Sequence, residues 1–150
     1  MFDPERDGLW TARVDGRIEG SVAIDGSRAT AEGAELRWFL VSDALRGLGA
    51  GSRLLDAALA FCRSAAFSRV HLWTFAGLDR GRQLYDTAGF VLTEQHPGTC
   101  WGTEVLEQRL ELDLRSPSAL SDVTRCRSVA VGRFRPWCHG VRYKRRFTHG

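Results

Sequence analysis

At 150 residues, 43% of them hydrophobic, the chain suits one domain with a modest core. No apolar run approaches the ~18 residues of a membrane span, and no basic-then-apolar leader opens the sequence, so it reads as a soluble, cytoplasmic protein. The net charge of +3 hides a division: residues 1–115 carry 13 basic and 17 acidic side chains, net −4, whereas 116–150 carry 8 and 1, net +7.

In chain order, Asp15-Gly16 separates two apolar-rich runs, 9–14 and 19–24, which predicts a hairpin closed by a tight turn. A strand-like run over 36–41 leads into Arg46-Gly47-Leu48-Gly49-Ala50-Gly51, and a helix-like run over 52–66 follows. Glycines let a backbone curl and approach a ligand, and a helix N-terminus presents unpaired N–H groups with positive dipole. Strand, glycine loop and helix in this order predict an anion site suited to a phosphate. The spacing separates the candidates. A dinucleotide fingerprint needs Gly where Ser52 stands, and no acid follows at the ribose-binding distance. A P-loop needs Gly-Lys, and the single lysine, Lys144, is remote. What remains is R-x-x-G-x-G.

A second strand is predicted over 70–75, then a short helix carrying Leu84-Tyr85-Asp86-Thr87-Ala88-Gly89-Phe90, with Gly89 ending it at positive φ and Phe90 opening the next strand. Over 104–114 the pattern alternates, with Leu106, Leu110, Leu112 and Leu114 on one face and Glu107, Arg109, Glu111 and Asp113 on the other, a strand closing the sheet. Trp38, Trp73, Phe75 and Trp101 read as core or cleft lining. Cys62, Cys100, Cys126 and Cys138 have no C-x-x-C spacing and read as buried thiols in preference to disulfides or a zinc site, with no metal site predicted. The four histidines, His71, His96, His139 and His149, are scattered and none is nominated as ligand or base.

The order strand, R-x-x-G-x-G, helix, strand, L-Y-x-x-x-G-F, strand resembles the GNAT acetyltransferase superfamily over residues 9–114. It looks closest to the acetyltransferase half of bacterial regulators that fuse a MarR-type DNA-binding domain to a GNAT domain, judged by 36–41, Leu72-Trp73-Thr74 and 107–114. The resemblance implies an α/β (α+β) GNAT fold, a mixed twisted sheet with flanking helices, and acetyl-CoA as co-substrate. It implies that the loop amides of Arg46, Gly47, Leu48, Gly49, Ala50, Gly51 and Ser52 hold the pyrophosphate, with a further contact from the Arg46 or Arg53 side chain. It also implies that backbone N–H groups of Phe39, Leu40 and Val41 meet the pantetheine arm and polarise the acetyl oxygen. Tyr85 takes the place of the acid that protonates the leaving thiolate, and Glu35 that of a general base. A packing role for Tyr85 and a plain exposed-strand role for Glu35 are the alternatives.

Two positions depart from the family pattern. Leu78 stands where many members place an asparagine on the pantetheine, and Gly81 stands inside the short helix where alanine is common, at about 1 kcal/mol in helix propensity. Asp79 offsets part of this as N-cap or first-turn acid. Only residues 1–8 precede the hairpin, so the family's first strand and two helices are expected to be missing from the domain, 1–115. In the family those elements wall one side of the acceptor cleft, so either another segment or chain, a homodimer included, fills their place, or the acceptor site is incomplete. The tail, 116–150, matches nothing in the family. Its Arg133-Phe134-Arg135-Pro136-Trp137 and Tyr143-Lys144-Arg145-Arg146-Phe147 read first as a solvated extension and second as a nucleic-acid contact. The activity predicted is acetyl transfer from acetyl-CoA to a primary amine by direct attack. The alternative is a truncated, inactive remnant that binds coenzyme or serves as an interaction module. Acceptor identity stays open among polyamine, aminoglycoside, amino acid and protein amines.

Overall fold

The computed structural model describes residues 2–27, 33–100 and 102–115; the tail over 116–150, Trp101, Cys126, Cys138, His139 and His149 lie outside them. Six strands and two helices follow in the order β1 (Gly8–Val14), β2 (Arg17–Asp25), β3 (Ala34–Val41), a 3-10 turn (Asp43–Leu45), α1 (Ala50–Ser64), β4 (Arg69–Phe75), α2 (Asp79–Ala88), β5 (Val91–Gly98) and β6 (Val105–Asp113). They form one mixed sheet in the order β1-β2-β3-β4-β6-β5, with β3 and β4 parallel and every other pair antiparallel.

The hairpin turns where the sequence places it. Asp15 and Gly16 both take positive φ, 49° and 79°, the left-handed pair that a two-residue turn needs to match the strand twist. Helix α1 begins at Ala50, two residues before the sequence pattern suggests, and ends at Ser64 as Ala66 turns to φ 58°. Its Leu54, Leu55, Ala58, Leu59 and Cys62 form one buried stripe against Val22 and Ile24 of β2 and Ala34 and Leu36 of β3. Phe61 meets Trp10 of β1 edge to face at 5.3 Å.

Helix α2 lies on the same face of the sheet as α1. Gly89 sits over Leu112, and Arg82 reaches Gln108 at 3.4 Å. The two crossovers, β3-α1-β4 and β4-α2-β5, run the same way along the sheet and so have the same hand. Gly89 caps α2 at φ 97°, with the N–H groups of Gly89 and Phe90 donating to the carbonyls of Asp86 and Tyr85. Asp79 is the first-turn acid of α2, and Leu78 holds the N-cap position without a side-chain cap.

The strand over 105–113 corrects one expectation. It does not close the sheet but lies inside it, between β4 and β5. Leu110 and Leu112 therefore pack against Val70 and Leu72 in the core, and the polar side of the strand is covered as well, with Glu107 only 5% exposed. Opposite the helices, the sheet face carries Asp25, Glu35, Arg37, His71, Glu111 and Arg109, and among the described residues no helix covers it. Arg37 pairs with Asp25 at 3.4 Å and Glu35 at 3.9 Å, and Glu111 holds Arg109 at 3.0 Å and Arg69 at 3.5 Å.

Gly81 does not need to be glycine here. Its φ is not positive, and a Cβ would meet only the Tyr85 ring edge at 3.9 Å. Gly81→Ala is expected to stabilise the fold by about 1 kcal/mol through helix propensity. A rise of several degrees in melting midpoint checks this; no rise would mean that the Tyr85 ring cannot accept the contact.

Candidate functional site

Strands β3 and β4 pair for only two steps, Ala34 with Val70 and Glu35 with His71. Beyond that level residues 36–41 and 72–75 border an open gap. The cause lies in β3, where Trp38 takes φ 49° and the register with β2 slips between Ser21 and Ala23. A bulky aromatic residue in the left-handed region is strained, and it persists only where the surroundings hold it. Here Ser21 Oγ donates to the Trp38 carbonyl at 3.0 Å, and the Arg37 guanidinium lies 5.5 Å from the indole. Trp38 is 67% exposed, so it is not a core residue.

The kink decides which amides face the gap. Ser42 N–H donates to the Glu19 carbonyl at 2.7 Å, which fixes the alternation of β3 against β2. Leu40, two residues earlier, presents its N–H to β2 as well. Val41 presents its N–H to the gap, and Phe39 lies on the same edge as Val41.

The glycine loop is anchored at both ends by buried leucines, Leu45 before it and Leu54 after it. Gly47 and Gly49 take φ 74° and 69°, and nothing lies within 4 Å of where a Cβ would stand, so backbone conformation and not crowding selects glycine. Gly51 differs: it is helical, and a Cβ there would lie 3.0 Å from Leu84, with Phe39 and Val41 at 3.7 Å. Its role is close packing of α1 against α2 and β3. The N–H groups of Arg46 and Leu48 donate to the carbonyls of Asp43 and Leu45. The first bond into α1 runs from Arg53 N–H to the Gly49 carbonyl, which leaves Gly47, Gly49, Ala50, Gly51 and Ser52 N–H groups without an acceptor among the described residues. No acid stands in the first turn of α1, and Arg53 projects from it, exposed. The Arg46 side chain is paired with Asp43, and Leu48 is 62% exposed.

Tyr85 reaches this place from α2. Its ring packs 5.8 Å from Phe39 and 5.8 Å from Phe90, and burial pushes its hydroxyl up to about 12. Leu84, beside it, touches the start of α1. Phe39, Val41, Gly51, Leu84 and Tyr85 thus converge on the helix side of the gap. Glu35 does not join them. It lies on the opposite face, one-third exposed, in register with Asp25 and His71. A separate recess of about 580 Å³, lined by Arg6, Gly33, Ser64, Phe67 and Ser68, sits at the other end of α1, ~22 Å along the helix from the glycine loop.

Likeness to known proteins decides the family. Residues 1–90 match the Acetyltransferase (GNAT) family model. The chain belongs to the GNAT acetyltransferase family. No curated protein matches it. Among solved structures, the putative acetyltransferase yncA from Salmonella typhimurium, described with its cofactor acetyl-CoA, superposes with TM-score 0.65 at 19% identity, covering 80% of this chain and 71% of that one. A putative phosphinothricin N-acetyltransferase gives TM-score 0.64 at 22% identity, covering 76% and 75%. A GNAT acetyltransferase from Elizabethkingia anophelis with acetyl-CoA bound gives 0.58 at 18%, covering 73% and 77%. At these identities the likeness is one of fold. No helix among the described residues is long and apolar enough to cross a membrane, and they hold no cluster of metal-ligating side chains.

What the sequence pattern missed in this GNAT domain is the strain at Trp38 and the cluster around Glu107. Alternation puts Glu107 only on the polar side of its strand, where β5 and the turn after it cover the carboxylate, while Cys100, expected among the buried thiols, is exposed. Glu107 Oε1 accepts the Cys100 N–H at 3.0 Å, and Glu107 in turn holds the Cys100 thiol above its ordinary value.

The Tyr85 shift has a linkage consequence. The folded-state value lies above the ordinary 10, so the folded protein holds this proton more tightly than the unfolded chain between those values. The stability contributed is complete below pH 10 and lost as pH rises towards about 12. Tyr85→Phe is expected to flatten the alkaline limb of a denaturation series measured between pH 9 and about 12; an unchanged limb would contradict burial of the hydroxyl.

Proposed function

We propose that this GNAT domain transfers an acetyl group from acetyl-CoA to a primary amine by direct attack. The observation that carries the reading is the gap between β3 and β4, with free amides at its rim and Tyr85 beside it. The unpartnered N–H groups of Gly47, Gly49, Ala50, Gly51 and Ser52 suit a pyrophosphate, with Arg53 adding charge. Arg46 and Leu48 contribute by shaping the turn, since their own amides are already bonded. Val41 and Phe39, at the gap edge, suit the pantetheine arm and the thioester oxygen; Leu40 contributes position in the strand.

In the reaction the amine nitrogen forms the new bond to the acetyl carbon, the carbon–sulfur bond breaks, and the sulfur takes a proton. Tyr85 is protonated at neutral pH and stands where it can supply that proton. Burial holds the Tyr85 proton tightly, so the phenol gives it up only to a strong base, and a thiolate released in apolar surroundings is one. Glu35, on the open face, takes the proton released by the amine, through water, so the amine approaches from the face opposite the helices. The finer kinship with the acetyltransferase half of MarR-type fusions rests on 36–41, 72–74 and 107–114.

Two measurements test this. Gly49→Asp places a carboxylate among the loop amides at a left-handed position, and Gly49→Asn puts the same shape there without charge; calorimetric titration with acetyl-CoA is expected to show binding to the wild type and to the Asn variant and none to the folded Asp variant. Tyr85→Phe is expected to lower kcat about 100-fold while leaving acetyl-CoA affinity within about twofold. Equal rates would remove Tyr85 from the mechanism, and coenzyme binding without turnover of any amine would leave a binding module in place of an enzyme.

A further inference from the structure

The last paired step of β3 and β4 joins Glu35 to His71, and the strands part immediately beyond it. Both side chains therefore stand at the root of the gap, on the face from which the amine approaches. They belong to a longer row. Asp25 of β2 is in register with Glu35, and Glu111 of β6 with His71, so four titratable groups lie side by side across four strands. Neighbouring strands run about 5 Å apart, which sets adjacent members of the row within reach of one another.

The carboxylates of the row are held differently. Asp25 accepts the Ser27 hydroxyl at 2.6 Å and lies 3.4 Å from Arg37, and the Ser27 hydrogen bond chiefly holds its carboxyl below the ordinary value. Glu111 is met by two guanidinium groups, Arg109 at 3.0 Å and Arg69 at 3.5 Å. Both ends of the row thus face arginines, which keep their charge at every working pH. Glu35 has the longest contact, 3.9 Å to an Arg37 that lies nearer Asp25. Beside it His71 is only 7% exposed, although among the described residues no helix covers this face. Arg69 and Trp73 of its own strand and Arg109 and Asp113 of β6 flank it in register. At the centre of the row, then, an imidazole and a carboxylate are packed together where a proton has to be received. A carboxylate alone is a poor base for an ammonium ion. An imidazole exchanges its proton near neutral pH, and two such groups in contact titrate as one unit.

We infer that Glu35 and His71 work as a single proton acceptor, Glu35 receiving the proton of the attacking amine and His71 drawing it on. The inference rests on the acetyl-transfer reading. As the amine nitrogen bonds to the acetyl carbon, its N–H bond breaks towards a water, and the proton passes to a Glu35 carboxylate oxygen. From there it moves to a ring nitrogen of His71, which leaves an imidazolium between the carboxylates of Glu35 and Glu111. It returns to solvent through Glu35 once the amide has left. His71 is a positioning residue, acting through Glu35 and touching neither substrate nor coenzyme.

The test begins with side-chain nitrogen spectra of the histidine-labelled full chain, CoA present, followed from about pH 5 to 9. His71→Gln identifies the His71 signals among the four histidines; should that buried substitution unfold the chain, single replacement of the other three identifies them. Glu35→Gln, at a one-third exposed position, removes a negative neighbour of the imidazolium, so the His71 midpoint is expected to fall by about one pH unit while that of His96 stays in place. An unmoved His71 midpoint, or a His71 that takes up no proton over this range, overturns the pair. Turnover gives the second readout. The acidic limb of kcat for the wild type is expected to coincide with the His71 midpoint, and His71→Gln to lower kcat about tenfold with KM for acetyl-CoA within about twofold. A limb displaced from that midpoint by more than about one pH unit overturns the relay and leaves the transferase standing. Coupled titration in a protein that acetylates no amine keeps the pair and removes the transferase.

Discussion

The parting of β3 from β4 after two paired residues is the constraint on which the rest of this molecule depends. A parallel pair normally continues its slanted ladder until one strand ends, because each interrupted step leaves backbone donors and acceptors to be satisfied elsewhere. Here the ladder stops at Glu35–His71 although both strands run on. The strained Trp38 turns β3 away, the glycine loop receives it, and α1 and α2 close over the helix side of the opening. The candidate strand contacts to a coenzyme, at Phe39 and Val41, follow from that departure, since amides bonded across a continuous sheet could not bind anything else.

The opening also divides the chemistry between two faces. On the helix side the buried surroundings are apolar, and the buried Tyr85 hydroxyl and Cys62 thiol hold their protons far above neutrality. On the other side the sheet carries carboxylates, arginines and histidines in cross-strand rows. Pairs such as Arg37 with Asp25 are partly exposed and contribute little to stability. Their effect is to make one wall of the opening dry and the other polar, which suits a thioester entering from one side and a charged nucleophile from the other.

Much of the fold is legible in the chain because its signals are local. Asp15-Gly16 demands positive φ at two residues, Gly89 demands it at a helix end, and both demands are met where the sequence places them. The order strand, glycine loop, helix is likewise readable, since it needs only neighbours in sequence. What escapes depends on contacts distant in the chain. Nothing in 104–114 says that this strand inserts between β4 and β5, so the covered state of Glu107 cannot be read from its alternation. Which loop amides remain free is equally hidden, because the turn bonds of Arg46 and Leu48 depend on the 3-10 turn before them. Gly51 looks in sequence like part of the curl, whereas its absent side chain makes room for Leu84, a residue 33 positions later.

The position of β6 has one more consequence, for how the molecule assembles. The final strand of the sheet to leave the ribosome is also the one that joins β5 to everything else. Until residues 105–113 are available, β5 has no neighbour in the sheet, and β4 exposes an apolar edge carrying Val70 and Leu72. Helix α1 and the first three strands can collapse early through contacts close in sequence, but the right half of the sheet must wait for a strand inserted from the far end. Before residues 105–113 emerge, the inner edges of β4 and β5 have none of the partners they take in the finished sheet, and pairing with β6 is what closes both.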